Sequence, residues 1–530
     1  MSVALADGIA GRRRRSSPAA VGLGLLVVWA AWRATTRRDV LNTRGWSSFA
    51  EFWTSALDPE LNADFVRLTA EATLTTASYA VLGATVSVAI GLIGAPLLAT
   101  RPWEVADCSR TARMSRMTIR QLVRASFVVP RSVHEVIWAL LLVQVLGFDP
   151  LVAVLAIAFQ FGAITAKVYA DLLDDADPSA FRAMRTAGAG RLSSIVYGLV
   201  PIVRRDLVGY GFYRLECAVR SAAVLGIVGL GGLGTQLDLS FESLRYDEIW
   251  TLIAALMILS GLADRWSTAV RRSGSSVVVR SSWSAVLVVL PVSWWYVGID
   301  VSAMWSERTR RLFADLVDDL FPPRLGPGGW SELVGATIDT LAMSVLATVI
   351  AVSGGLVVAT IAARPHRPDD TFVRGAVGWL ARFVLLLFRA VPAPVWAFLV
   401  VVVMFPGIWP GAVALGVYNI GVLGRLFAEV FDDHDDRARR QLDIAGAGRI
   451  EQVAYGVLPV CAPRLVSLAL YRWEVITRET VVVGVVGAAG LGRLIQEHLV
   501  ARDFAAVTGA IGSLIVLAVT IDAVGRRLRP

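Results

Sequence analysis

Apolar runs close to the length that crosses a bilayer recur along the whole chain, separated by short polar stretches. They lie near 18–33, 72–99, 121–146, 150–170, 201–229 and 247–264, and again near 283–299, 335–362, 378–404, 410–428, 459–486 and 505–524. About twenty apolar residues span the hydrocarbon core, so the pattern predicts about twelve transmembrane helices, six in each half. The first run is short and follows Arg12 to Arg15, as a signal peptide would. No small-residue cleavage site leading into a soluble domain follows it, and it is expected to be an anchor.

The polar interruptions repeat as regularly as the runs. Ala187-Gly188-Ala189-Gly190-Arg191, then Tyr197-Gly198 and Pro201, returns 258 residues later as Ala445-Gly446-Ala447-Gly448-Arg449, then Tyr455-Gly456 and Pro459. The same offset relates Tyr213-Arg214-Leu215-Glu216 to Tyr471-Arg472-Trp473-Glu474, Arg220 to Arg478, and Gly232-Leu233-Gly234 to Gly490-Leu491-Gly492. Two equivalent units are fused, expected at 1–264 and 283–530, with a cytoplasmic linker at 265–282. Six spans is an even number, so the units share one orientation as a parallel repeat.

Composition agrees with an all-α polytopic membrane protein: 55% hydrophobic, 18% charged, mean hydropathy +0.61. The net charge of +8 comes almost wholly from Arg, because Lys167 is the only Lys. With this hydropathy it reads as topology and anion handling, not nucleic-acid binding. Cys108, Cys217 and Cys461 and the four His form no disulfide or metal pattern. Arg12 to Arg15 place the N-terminus in the cytoplasm, and that choice also puts Arg101 to Arg120, Arg265 to Arg280, Arg364 to Arg374 and Arg526 to Arg529 inside. Arg33, Arg37, Arg38, Arg308, Arg310 and Arg311 then fall outside, against the rule.

The longest polar interruptions within each half, 171–200 and 429–458, both open with acid and run through a helix-like stretch to Gly188 or Gly446. Acidic groups suit a helix N-terminus. A solvated loop reads the same way in one copy, but two copies in fixed register favour a shared role. The stretch from Arg182 through Ala187-Gly188-Ala189 to Tyr197-Gly198-Leu199-Val200-Pro201, and its copy ending Tyr455-Gly456-Val457-Leu458-Pro459, resembles the cytoplasmic loop of binding-protein-dependent ABC importer permeases. That resemblance implies two type I importer permease units of six helices, with coupling helices at 178–198 and 436–456 that dock on ATPase subunits. The docking residues it implies are Arg182, Ala187, Gly188 and Ala189, with Arg440, Ala445, Gly446 and Ala447. Arg182 and Arg440 stand where the family's motif usually has Glu, and would need an acidic partner on the ATPase.

Tyr471-Arg472-Trp473-Glu474, Arg478 and Val483-Gly484-Val485-Val486-Gly487-Ala488-Ala489-Gly490-Leu491-Gly492 are similar to the fifth-span signature of phosphonate importer permeases. So are Tyr213 to Glu216, Arg220 and Leu225-Gly226-Ile227-Val228-Gly229, and upstream Arg389-Ala390-Val391-Pro392 and Gly421 to Glu429. Independently of the family, Glu216 and Arg220, like Glu474 and Arg478, stand four apart and share a helix face. An isolated Arg near the bilayer centre costs about 2.5–3.5 kcal/mol, so these groups are expected to face protein or water. Two readings stay open. Each pair neutralises itself and only locks its helix; or Arg220 and Arg478, with Glu216, Glu474, Tyr213 and Tyr471 around them, line a path for an oxyanion, which suits planar guanidinium donors. Arg131 and Arg389 either join that lining or sit at a membrane interface.

The Gly-rich stretches 226–234 and 484–492 lack the Lys-Ser/Thr of a nucleotide loop and suit close helix packing. With no Walker-type motif, the chain is expected to be no enzyme by itself and to hold no cofactor, ATP and Mg being bound by the partner ATPase. The expected function is the permease of a bacterial cell-membrane importer for phosphonate, phosphate or phosphite, with both termini cytoplasmic. Its expected partners are two ATPase subunits and an extracytoplasmic binding protein. The alternatives are a permease of the same class for another solute such as an amino acid, and an ion-coupled secondary transporter, which the even span count disfavours.

Overall fold

The computed structural model describes residues 18–36, 40–100, 110–272, 276–363 and 372–528. Arg12 to Arg15, Arg37, Arg38, Arg101, Cys108, Ser273 to Ser275, Arg364 and Arg529 lie outside the described residues. In the first half the helices are α1 (Pro18–Thr35), α2 (Trp46–Thr54), α3 (Ala63–Leu98), α4 (Arg110–Ser132), α5 (Glu135–Leu146), α6 (Pro150–Asp175), α7 (Ser179–Thr186), α8 (Val200–Leu225), α9 (Leu233–Glu242) and α10 (Tyr246–Arg272). The second half repeats them as α11 (Ser276–Val297), α12 (Glu307–Leu320), α13 (Gly329–Ala362), α14 (Phe372–Ala390), α15 (Ala393–Val403), α16 (Ile408–Asp432), α17 (Arg437–Ile444), α18 (Leu458–Val485), α19 (Leu491–Val500) and α20 (Phe504–Leu528). Among the described residues there is no strand, only one isolated bridge between Leu41 and Met404.

Eight helices are long and apolar enough to cross a membrane singly, three bent pairs pass the same test together, and α1 is a shorter apolar helix. These account for the twelve predicted runs. Two of the runs are not straight spans. Residues 121–146 form α4 and α5, bent by 91°, and 378–404 form α14 and α15, bent by 93°. Pro392 causes the second break, since it lacks an N–H and disfavours helical geometry in Val391 before it; Pro394 sits in the first turn of α15, where its missing N–H has no partner to lose. In the first, Pro130 lies in the last turn of α4 and the His134 ring accepts from the Val136 N–H, capping a new helix. A milder bend of 55° joins α8 to α9. Gly232 makes it possible: at φ 79° it leaves room for the Thr76 hydroxyl, which accepts from the Leu233 N–H at 2.9 Å. Gly490 and Thr340 repeat the device before α19.

The densest packing is between α3 and α6 and between α13 and α16. Small residues allow it: a Cβ on Gly91 would meet Thr165 at 2.4 Å, and one on Gly355 would meet the Gly424 nitrogen at 3.1 Å. The halves interlock. Helix α1 packs on α13 of the second half, and α11, its repeat, packs on α3 of the first. Ala30 and Ala34 of α1 share one buried core with α13, α16 and α18. The Arg33 guanidinium meets Asp339 of α13 at 2.9 Å. Beyond α1 the Asn42 N–H donates to the Val403 carbonyl at 2.8 Å, and the Phe405 N–H to Val40 at 3.1 Å.

Ion pairing accounts for three of the arginines that fall outside against the charge rule. Arg33 is neutralised by the other half. Arg310 and Arg311 sit on the amphipathic α12, where both pair with Glu307. Along α11, by contrast, Leu287, Val288, Val292 and Trp295 are more than half exposed, an apolar surface suited to lipid.

The crossing of α1 is directly testable. In a chain stripped of its native cysteines and carrying a protease site inserted between α10 and α11, Arg33→Cys with Asp339→Cys should cross-link. The two fragments should then run as one band on a denaturing gel; two separate bands would place α1 elsewhere.

Candidate functional site

Helices α8 and α18 bring one stripe of residues each to the interface between the halves. Tyr213, Arg214, Cys217, Arg220, Ser221 and Val224 face Tyr471, Arg472, Val475, Arg478, Glu479 and Val482 across a cavity of about 140 Å³. The spacing of three and four residues keeps each set on one helix face. Each residue is the 258-residue equivalent of its counterpart. Short N-terminal segments of α5 and α15, at the two sharp bends, close the wall with His134 and Glu135 on one side and Pro392 to Pro394 on the other. At about 30 Å³ per water, the space corresponds to a few waters or one compact tetrahedral anion.

Four guanidinium groups reach this cavity, against two carboxylates, Glu135 and Glu479. Arg478 donates to the Arg131 carbonyl at 2.7 Å and lies 3.5 Å from Glu474, but its Nε is buried with no hydrogen-bond partner. Arg220 stands 3.7 Å from Glu216 and 3.6 Å from the Cys217 sulfur. Arg472 donates to Glu479 at 2.7 Å and to the Asn419 side-chain oxygen. Arg214 donates to the Tyr210 hydroxyl at 3.0 Å. An excess of fixed positive charge in a partly enclosed, low-dielectric space attracts an anion and repels a cation.

Beside the cavity lies a buried ion network that crosses from one half to the other. Glu216 of α8 accepts from Arg389 at 3.1 Å and lies 3.4 Å from Arg425; Asp264 of α10 meets the same two groups at 2.9 Å and 2.5 Å. Arg425 also holds Glu429, one turn along α16, at 3.0 Å. Glu216 and Arg389 are less than a tenth exposed. The offset of 258 predicts a second network of Glu474, Asp522, Arg131, Lys167 and Asp171. The structure assembles it more loosely: Arg131 is 3.8 Å from Asp522, which Arg526 approaches to 3.2 Å, and Lys167 lies within electrostatic reach of Arg131, Asp171, Asp522 and Glu474.

The loops at 171–200 and 429–458 form matching knobs. Helix α7 ends in a Schellman motif, with the Ala189 N–H donating to Met184 at 3.0 Å, the Gly188 N–H to Arg185 at 3.2 Å, and Gly188 at φ 86°. Ala447, Leu442, Gly446 and Asp443 repeat it after α17, with Gly446 at φ 81°. Gly198 lets α7 lie flat on the chain that enters α8, since a Cβ there would come within 3.2 Å of the Phe181 backbone. Gly456 does the same under Arg439. Arg182, Ala187, Gly188, Arg440, Ala445 and Gly446 are exposed, Ala189 and Ala447 half-buried, and Ile444, Ile450, Tyr197 and Tyr455 project apolar surface beside them.

Of the residues singled out in the sequence, Arg220, Arg478, Tyr213 and Tyr471 line the cavity. Glu216, Glu474, Arg131 and Arg389 stand just outside it, in the two networks. Glu216 lies nearer to Arg389 than to Arg220, so its principal partner is in the other half. Sequence reasoning missed Arg214, Arg472, Glu479 and Glu135 in the cavity, and Asp264, Asp522, Arg425 and Lys167 in the networks. The repeat offset was the available signal for most of these, because Arg214/Arg472 and Asp264/Asp522 recur at 258 as plainly as Arg220/Arg478.

The family model described as binding-protein-dependent transport system inner membrane component matches this chain twice, at residues 109–273 and 337–530. The chain is 28% identical over 421 residues to the phosphate-import permease protein PhnE of Mycolicibacterium smegmatis, covering 77% of this chain and 76% of that one. It is 31% identical over 245 residues to the phosphite transport system permease protein PtxC of Stutzerimonas stutzeri, covering 46% of this chain and 86% of that protein. A solved chain of the MetNI methionine ABC transporter is 18% identical with a TM-score of 0.35, covering 38% of this chain and 97% of its own.

Removing one member of the network leaves buried charges unpaired, which typically costs about 3–5 kcal/mol. Arg389→Met should therefore lower the thermal unfolding midpoint of the purified protein sharply. Arg67→Met, which breaks an exposed pair with Glu71, should move it little, by about 1 kcal/mol or less. Equal midpoints for the two variants would show that the inter-half network carries no stability.

Proposed function

We infer the function from one premise: the chain belongs to the family of binding-protein-dependent transport system inner membrane components, and carries two copies of the family's unit. It is a multi-pass permease subunit of an ABC importer. On this reading the cargo is phosphonate, phosphate or phosphite. The observation that carries it is the cavity, where the same face of α8 and of α18 delivers four guanidinium groups against two carboxylates. Guanidinium groups pair their N–H donors with the oxygens of phosphorus oxyanions and keep their charge at any physiological pH. The PhnE and PtxC relatives are named for phosphate import and phosphite transport, which supports the same cargo class.

Two ATPase subunits would bind the knobs at 178–198 and 436–456, one on each half, and an extracytoplasmic binding protein would load the opposite face. Both termini would then be cytoplasmic. ATP and Mg would be held by those ATPases, and this chain would hold neither. ATPase closure would draw the two knobs together, and α8 and α18, which start directly after them, would rock about the interface that holds the cavity.

The reading is tested in proteoliposomes holding this chain with its ATPase and binding protein. Labelled phosphate should enter in an ATP-dependent way, and excess alkylphosphonate or phosphite should compete if the path is shared. ATP-driven uptake of an amino acid with none of these oxyanions would replace the cargo class. In the same assay Gly446→Val tests the docking knob. A Cβ at Gly446 meets nothing within 4 Å, so the fold has room, but a branched residue at φ 81° is strained and protrudes from the knob. Uptake per ATP hydrolysed should fall at least about tenfold; unchanged coupling would remove these loops from the ATPase interface.

A further inference from the structure

Arg214 and Arg472 are one residue of the repeat, yet their surroundings differ. Arg472 donates to Glu479 Oε1 at 2.7 Å and to Asn419 Oδ1, while Asn419 Nδ2 holds the second Glu479 oxygen at 3.1 Å. Its charge is matched within the wall. In the first half the position of Glu479 is Ser221, whose hydroxyl donates to Glu135 at 2.6 Å, and the position of Asn419 is Phe161. Arg214 consequently has a neutral partner, the Tyr210 hydroxyl, and lies over aromatic faces: Tyr210 at 4.8 Å, Phe161 at 5.1 Å and Tyr213 at 5.6 Å. The residue is 5% exposed and lines the cavity, and among the described residues no carboxylate comes within ion-pair distance of it.

Aromatic faces stabilise a desolvated cation by about 2 kcal/mol or somewhat more, whereas taking an ion out of water costs several. An anion in the cavity would supply the missing counter-charge. We propose that the cavity holds its oxyanion asymmetrically: Arg214 is the principal charge partner, and Arg472, locked by Glu479 and Asn419, shapes the opposite wall without binding it. Arg220 and Arg478, each with a carboxylate within 4 Å, contribute secondarily. With Arg472 neutralised inside its own wall, the cavity also holds the ion less strongly than four free guanidinium groups would, and conduction requires that the ion can leave. This inference rests on the reading that the cargo is an oxyanion.

The test uses the complete reconstituted importer and reads phosphate delivered per ATP hydrolysed at saturating loaded binding protein. Arg214→Gln should lower this ratio at least about tenfold, and Arg214→Lys, which keeps the charge but not the planar donors, should restore part of it. The charge-neutral double replacement Arg472→Gln with Glu479→Gln, which alters the wall without changing its net charge, should lose clearly less than Arg214→Gln. A transplant gives an independent arm should Arg214→Gln fold poorly. Glu135→Ala with Ser221→Glu gives Arg214 the carboxylate that Arg472 has, because Ala393 and Glu479 occupy those positions in the second half. It should also lose about tenfold or more. Equal losses in Arg214→Gln and the Arg472/Glu479 pair would mean a symmetric site, and a wild-type ratio in Arg214→Gln would mean that Arg214 does not hold the ion; either overturns the proposal while leaving oxyanion import intact. Absence of any oxyanion uptake by the unaltered chain would overturn both.

Discussion

Charge buried at the interface between two membrane-embedded halves must find its partner there, and this constraint organises the molecule. Arg389 and Arg425 come from the second half, Glu216 and Asp264 from the first, and separating the halves would take from Arg389 and Asp264 the ion partners they have here. Such a set adds little to stability compared with well-packed apolar side chains, but it penalises every arrangement that separates its members. The halves are therefore held in one register by charge, while apolar contacts, such as α1 on α13, hold them together without fixing that register as sharply.

The repeat explains why this arrangement exists twice, and divergence explains why the copies differ. Lys167 replaces Arg425 and Asp171 replaces Glu429, so the second network has a point charge in place of a planar fork and a shorter acid beside it. Its contacts are correspondingly longer, 3.8 Å between Arg131 and Asp522 against 2.9 Å between Arg389 and Asp264. The same divergence gives the cavity a neutralised guanidinium on one wall and an aromatic-bound one on the other. Two identical units would give the cavity equal walls; here the walls are unequal.

Much of this was legible in the sequence because apolar runs and an exact offset survive without knowledge of the fold. Twelve segments, the paired polar loops and the Arg220/Arg478 positions all follow from those two signals. What the sequence hid was geometry across long separations. The right-angle breaks near His134 and Pro392 fall inside otherwise continuous apolar runs, which hydropathy alone reads as single spans. The spacing of Glu216 and Arg220 correctly places them on one helix face, but a local rule cannot show that Arg389, 173 residues away, comes closer. The crossing of α1 was equally invisible, because its only polar mark, Arg33, looks like an orientation signal until Asp339 is beside it.

The networks also connect the loops to the cavity mechanically. Arg425 lies two turns from the end of α16, roughly 10 Å at 1.5 Å per residue, and α16 runs on into the knob that carries α17. Glu216 belongs to α8, which leaves the other knob through the turn that Gly198 packs beneath α7. One ionic contact, Arg425 with Glu216 and Asp264, therefore joins a helix leading to the second knob with helices of the first half. Displacing the knobs relative to each other must either carry this contact as a rigid body or break it. Breaking exposes several charges at once, so a rigid rock of each half is favoured up to the point where water can reach the network and take over its hydrogen bonds.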